Sequence, residues 1–220
     1  MKILTLEFSS PQRSVAVLNT DARTDVLAKG ESVEAVPRDT MKPFGMIETA
    51  LKQAGLEREQ IECLVVGLGP GSYNGIRAAI ALAQGWQLAS GVKLLGVSSV
   101  ECVAAQALAD GAPEKFSVVI DAQREEFYVA DYEVNAGKLN HLSRLELVAR
   151  ENVRQREATG NLLIGPEVAR WFPNGRVIFP RAEMLGRLAL ARNDFVSGDK
   201  IEPIYLRQTN FVKAPPPRVF

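Results

Sequence analysis

GLGPGSYNGIRAAIALAQGWQLASG, residues 67–91, reads as the end of a strand, a glycine turn and a long helix. The run CLVVGL at 63–68 is continuously apolar, which suits a parallel strand covered on both faces. Gly69, Pro70 and Gly71 break it, because glycine permits positive φ and proline fixes its own. Ser72 or Asn74 then caps the helix with a side-chain oxygen. The helix is apolar nearly all round. Ile76, Ala79, Ile80 and Ala83 make one face, and Ala78, Ala81, Leu82, Gly85, Trp86 and Leu88 cover most of the other. Only Arg77, Gln84 and Gln87 form a narrow polar stripe. Such a helix is expected to be buried on both sides. One side lies on the sheet. The small residues Ala78, Ala81 and Gly85 admit a second helix, from this chain or from another subunit. The glycine turn has two readings. Its amides can cradle a phosphate at a helix N-terminus, or its glycines simply allow close packing. GPGSYNG is not GxxxxGK[ST] and holds no lysine.

The rest of the chain repeats one order of elements. Strands expected at 3–8, 14–18 and 26–33, with a turn at 20–24, form a meander. A helix at 40–54 follows, capped by Asp39 or Thr40, with Met41, Phe44, Ile47 and Leu51 along one face and Gly55 at its end. After the central strand and helix come a strand at 94–97 and the capping box Ser98-Ser99-Val100-Glu101, which starts a helix to 109. The pattern restarts with strands at 116–121, 127–132 and 139–148, a helix at 150–156, a strand at 162–164 and a helical turn at 167–172. A strand at 177–179, a helix at 181–195 and a strand at 203–207 complete it. The order βββαβα thus occurs twice. It predicts an α/β fold of two tandem ribonuclease-H-like domains in the actin–Hsp70–sugar-kinase (ASKHA) architecture, with a cleft between them. The expected division is an N-terminal domain at 1–110, a smaller one at 111–207 and a flexible Pro-rich tail at 208–220, where Phe211 and Phe220 could dock.

Composition narrows the function. Lys plus Arg equals Asp plus Glu, 26 each, so no global charge holds nucleic acid, and any RNA contact is local or supplied by a partner. Cys63 and Cys102 lack CxxC spacing and read as buried thiols of a reducing compartment. MKILTLEFSS has no signal-peptide pattern, and no apolar run reaches the roughly 18 residues of a membrane span, so a cytoplasmic protein without a membrane segment is expected.

The motif GxGPGSxxGxR at 67–77, followed by Gly96-Val97-Ser98-Ser99 and by a terminal PxYLR at 203–207, resembles the TsaB (YeaZ) family over most of residues 1–207. The chain departs from that pattern at Glu7-Phe8-Ser9-Ser10, where the family has Asp-Thr-Ser, and at Arg38-Asp39-Thr40, where it has Arg-His-Ser. The resemblance implies a non-catalytic dimerisation or scaffold subunit of the complex forming threonylcarbamoyladenosine in tRNA. Such a subunit pairs with a catalytic TsaD-like paralogue and works with a TsaE-like ATPase. It meets tRNA only through the complex, and a homodimer is possible when it is alone. It further implies that the first two helices meet the partner, and the candidate residues are Phe44, Ile47, Leu51, Tyr73, Ile76, Arg77, Ala81 and Gln84.

An actin-like small-molecule kinase or ATPase is the alternative. Its phosphate hairpins would be Ser9-Ser10 and Asp121-Ala122-Gln123-Arg124-Glu125-Glu126. Phe8 would set a ring near the phosphate, and the doubled carboxylate of Glu125 and Glu126 would repel it. Gly165-Pro166 is the nearest candidate for an adenosine turn, and Asp121 is at best a weak magnesium ligand. A metallopeptidase needs clustered ligands, and one histidine, His141 in an expected strand, does not supply them. Ser72 is not in a GxSxG elbow, so no nucleophile, metal or cofactor is expected.

Overall fold

A computed structural model describes residues 1–20, 26–35 and 42–207. The expected turn at 20–24, the caps Asp39 and Thr40, Met41 and the tail with Phe211 and Phe220 lie wholly or partly outside the described residues. The first half contains β1 (Lys2–Glu7), β2 (Gln12–Thr20), β3 (Val26–Ala35), α1 (Pro43–Ala54), β4 (Cys63–Gly67), α2 (Tyr73–Ser90), β5 (Lys93–Val97) and α3 (Ser99–Ala109). The second contains β6 (Lys115–Asp121), β7 (Glu126–Asn135), β8 (Lys138–His141), β9 (Glu146–Ala149), α4 (Arg150–Ala158), β10 (Leu162–Gly165), β11 (Arg176–Val177) and α5 (Ala182–Ala189).

The two sheets have one topology. The first runs β3-β2-β1-β4-β5; the second runs β11-β10-β6-β7-β8, with β9 also paired to β7. In each, an antiparallel hairpin pair is extended by two parallel strands reached through crossovers. This is the doubled architecture expected from the element order.

Several boundaries move for local reasons. α1 starts at Pro43, not at 40, because proline is favoured in the first helical turn and holds the preceding Lys42 outside the helical region at φ −115°. Gly55 closes α1 in the left-handed conformation at φ 65°, as expected. The strand expected at 139–148 is broken into β8 and β9. The break is pinned on Asp131, whose carbonyl accepts from Leu142 N at 2.8 Å and whose amide donates to Ser143 Oγ at 2.9 Å. The helix expected to reach 195 stops at Ala189, and the chain turns back so that Val196 N donates to Leu94 O at 2.9 Å on the edge of the first sheet. Residues 203–207 form no strand; the segment is held to the first half through one backbone bond, Ile204 N to Leu68 O at 2.9 Å.

The helices decide how the halves join. α1 and α2 cover one face of the first sheet, where Met46, Ile47, Ala50 and Leu51 meet Leu4, Leu6, Ile76 and Ile80. The other face of that sheet packs against α5, which comes from the end of the chain, through Leu185 and Ala189 on Ile3, Leu18, Val65 and Leu95. α3, from the first half, instead packs on the second sheet, where Val100, Val103 and Ala107 meet Phe116, Val118 and Ile164. Each half thus lends a helix to the other's sheet. The α5 N-terminus is pinned by polar bonds: Ala182 N donates to Ser14 Oγ, and Thr5 Oγ1 donates to Ala182 O, both at 2.8 Å. α4 and the turn Val168–Arg170 close the outer face of the second sheet over Val153, Phe127 and Phe172.

Because α5 belongs to both halves, Leu185→Ala should cost about 2–5 kcal/mol and loosen them together. Trp86 lies in the first half and Trp171 in the second, so their fluorescence reports each. Denaturant unfolding should show one shared transition at a lower midpoint. Two separated transitions would contradict this account.

Candidate functional site

The glycine turn packs against the turn between β1 and β2. Ser72 N donates to Ser9 O at 2.7 Å, and a Cβ at Gly75 or Gly71 would run into the carbonyl oxygens of Phe8 or Ser9. Glycine is therefore required by backbone meeting backbone, the close-packing reading of this turn. Ser72, not Asn74, caps α2: its Oγ accepts from Gly75 N at 3.4 Å.

Beneath the turn lies a buried carboxylate. Glu7 is fully enclosed; its Oε1 accepts from Ser9 N at 2.7 Å and its Oε2 from Ser99 Oγ at 2.8 Å. Ser99 Oγ in turn accepts from Gly69 N at 3.1 Å. The Glu7 carboxylate also leaves no room for a side chain at Gly67. Burial pushes the Glu7 carboxyl above the ordinary carboxylate range, and the hydrogen bonds from Ser9 and Ser99 only partly offset this. An amide of the glycine turn is thus tied, through Ser99, to a buried carboxyl group of the chain itself. Ser99 was missed in the sequence. The capping-box reading assigned it no role, and the box does not form, since Ser98 Oγ accepts from Val100 N at 3.3 Å.

The first-hairpin candidates are corrected. Phe8 has no ring in a cleft; it is fully buried in the core beneath the first sheet. Ser9 and Ser10 are buried too, and Ser10 Oγ donates to Gln12 O at 2.8 Å. At the second hairpin both oxygens of Asp121 are engaged, accepting from Gln123 N at 2.7 Å and from the Trp171 indole at 3.1 Å. The guanidiniums of Arg150 and Arg170 lie over that indole at 5.3 and 5.1 Å. Glu125 and Glu126 are not a joint negative charge, since Arg150 pairs with the first at 3.7 Å and Arg207 with the second at 2.6 Å. Gln123, Arg124 and Glu125 are left-handed in succession, at φ 63°, 59° and 59°, a strain of about 1–2 kcal/mol each. Gly165 is packed on the Val119 carbonyl and Pro166 is buried, so this pair is a packing element.

His141 is exposed on β8, its ring 4.6 Å from that of Tyr132. Burial pushes the Cys63 thiol up to about 11 and holds that of Cys102 well above its ordinary value. Among the described residues no three His, Cys, Asp or Glu side chains cluster as metal ligands, and no helix is long and apolar enough to cross a membrane.

The candidate partner residues divide. Ile47, Leu51 and Ile76 face the sheet and belong to the core, because the periodicity that groups them is that of the buried face. Gln84 is also taken: its Nε2 donates to Gly198 O at 2.7 Å, while Gln87 Oε1 accepts from Gly198 N at 2.7 Å. Leu82 and Trp86 pack beside Val196 against the core, so residues 196–201 cover that flank of α2. Phe44, Tyr73, Arg77 and Ala81 are exposed. With Gly85 and with Leu88, which is 89% exposed, α2 shows an exposed stripe at 73, 77, 81, 85 and 88.

The family described as "TsaD: tRNA N6-adenosine threonylcarbamoyltransferase" matches residues 42–211. The tRNA threonylcarbamoyladenosine biosynthesis protein TsaB of Escherichia coli K12 is 27% identical, over 94% of this chain and 95% of that protein. The protein of the same name from Bacillus subtilis is 28% identical, over 64% of this chain and 59% of its own. Among solved structures, YeaZ from Pseudomonas aeruginosa superposes with a TM-score of 0.76 at 24% identity, covering 93% of this chain and 99% of that one. A second, described as an uncharacterized protein with similarity to peptidase YeaZ from the same organism, gives 0.77 at 25% identity, covering 94% and 99%.

Glu7 sets a pH dependence. The unfolded carboxyl releases its proton near the ordinary value of 4.5, before the folded one does. The contribution to stability is therefore complete below that value and is lost as pH rises through the raised folded pKa. Glu7→Gln, which keeps an acceptor for Ser9 N, should flatten the fall in melting temperature as pH rises above the ordinary carboxylate value of 4.5. Thermal melts across that range decide it; parallel profiles for the two proteins would assign the fall to other groups.

Proposed function

The chain belongs to the TsaB (YeaZ) family, and on that premise we propose that it is a non-catalytic dimerisation subunit of the complex that forms threonylcarbamoyladenosine in tRNA. Its role is in the biosynthesis of this modified nucleoside, as the names of its relatives state for them. Its partner is a catalytic TsaD-like paralogue, joined by a TsaE-like ATPase, in the cytoplasm. Residues 1–110 carry the partner surface, and 111–207 form the smaller second domain.

The observation that carries the reading is the outward face of α2. Gly85 sits inside this helix, where glycine costs about 1 kcal/mol relative to alanine. A Cβ there would meet nothing within 4 Å among the described residues. No contact among the described residues calls for glycine at this position, whereas a second helix packed on Ala81 and Gly85 would. Leu88, almost fully exposed, continues the same stripe. Phe44 adds an exposed ring from α1, which covers the same face of the sheet.

The absence of catalysis is supported by what occupies each candidate group. Glu7 is enclosed and hydrogen-bonded, both Asp121 oxygens are engaged, and Ser72 caps a helix. Both thiols are buried and held protonated, which gives a peptidase no nucleophile among them.

Ala81→Arg tests the surface. Ala81 is exposed, so the variant should fold as the wild type does by circular dichroism. It should lose pairing with the organism's TsaD-like protein by about 100-fold or more, since a close helix contact would bury a large unpaired cation. Co-purification and titration measure this. A folded variant that pairs at wild-type affinity would remove α2 from the interface. Unchanged threonylcarbamoyladenosine in tRNA from a depleted strain would sink the pathway assignment.

A further inference from the structure

Residues 204–207 touch two segments that are far apart in the sequence, 68–73 and 122–126. Ile204 N donates to Leu68 O at 2.9 Å, at the entrance of the glycine turn. Tyr205 stacks on Tyr73, the first residue of α2, with ring centroids 5.7 Å apart and an interplanar angle of 27°. Arg77 lies over the Tyr73 ring at 5.1 Å and donates to its hydroxyl at 2.5 Å. Arg207 then reaches the turn between β6 and β7. It donates to the carbonyls of Ala122 at 2.8 Å and Gln123 at 3.2 Å and pairs with Glu126 at 2.6 Å. One guanidinium thus fixes the two peptide planes on either side of Gln123, the first of three successive left-handed residues. A run of that kind persists only where its surroundings over-determine it.

We infer that residues 204–207 are a strap that couples the outward face of α2 to the β6–β7 turn, so that a partner seated on α2 and the conformation of the turn bias each other. Tyr73, Tyr205 and Leu206 are exposed together, so a partner on the start of α2 covers the strap as well. Seating holds Tyr205 on Tyr73 and keeps Arg207 in the turn. Release of the turn, conversely, frees the strap and weakens seating by the same factor. The identity of the partner rests on the function proposed above; the coupling within the chain does not.

Hydrogen exchange on the full chain separates the two. Ala122 N and Glu126 N are bonded within the turn, to Glu126 O and Gln123 O, and report it. In the free protein Arg207→Ala should raise their exchange by about tenfold. Tyr205→Ala should raise it too, although the ring at 205 stacks on Tyr73 in the other half. Tyr205→Phe keeps the stacked ring and should exchange like the wild type. Unchanged turn exchange in either alanine variant, or a rise spread evenly over both sheets, overturns the strap. With the TsaD-like protein added, the wild type should gain protection at α2 and at the turn, and Tyr205→Ala at α2 alone. Protection of the turn retained in Tyr205→Ala shows direct cover by the partner and overturns the coupling. If no version of the chain pairs, the functional proposal falls and the free-protein comparison still judges the strap.

Discussion

A carboxylate enclosed without a counter-cation must find donors, because removing it from water costs several kcal/mol that only hydrogen bonds offset. Glu7 finds them in Ser9 N and Ser99 Oγ. This sets the distance from the end of β1 to the start of α3, excludes a side chain at Gly67 and ties Gly69 to the same network. The glycine turn then closes on Phe8 and Ser9, and α2 leaves at an angle fixed by Gly71 and Gly75. The outward stripe of α2 is therefore aimed by packing that lies wholly beneath it. The same network ties the turn to a carboxyl group from inside the chain, so this junction serves architecture.

The two sheets share a topology but not their helices. α5 fills the inner face of the first sheet and α3 that of the second, with Cys102 of α3 in the cluster built around α5. A polar tie runs beside them: Arg181 pairs with Glu31, and Glu183 with Lys29. These pairs are partly exposed, so each contributes little by itself. They add registration to a junction whose energy comes from buried aliphatic side chains.

The surface of α2 is what the fold leaves over. One flank rests on the sheet, and a second is covered by 196–201 through Gln84, Gln87, Leu82 and Trp86. The remaining stripe carries Tyr73 and Arg77 at its start and then only Ala81, Gly85 and Leu88, where a solvated helix would carry charge. A helix that is apolar nearly all round thus has two of its flanks covered among the described residues and one left exposed.

Local regularities carried most of the architecture in the sequence. Apolar runs marked the parallel strands, the spacing of Phe44, Ile47 and Leu51 marked α1, and Gly55 and Ser98 marked ends. The repeated order of elements was legible because period and punctuation act over a few residues. The candidate site was less so. Helical spacing grouped Ile47, Leu51 and Ile76 without saying whether that face met a partner or the sheet, and only packing answered it. Glu7, Ser99 and Arg207 drew no attention as a set because their partners lie far along the chain, 92 residues away for Glu7 and Ser99 and 85 for Arg207 and Ala122. The exchange of α3 and α5 is of the same kind: Thr5 and Ala182 meet across 177 residues. By itself the sequence determined the elements, their order and the family's motif. Tertiary structure decided which faces are buried, which carboxylates are spent inside the molecule and which stripe of α2 remains outside, because burial belongs to pairs of surfaces and not to any one segment.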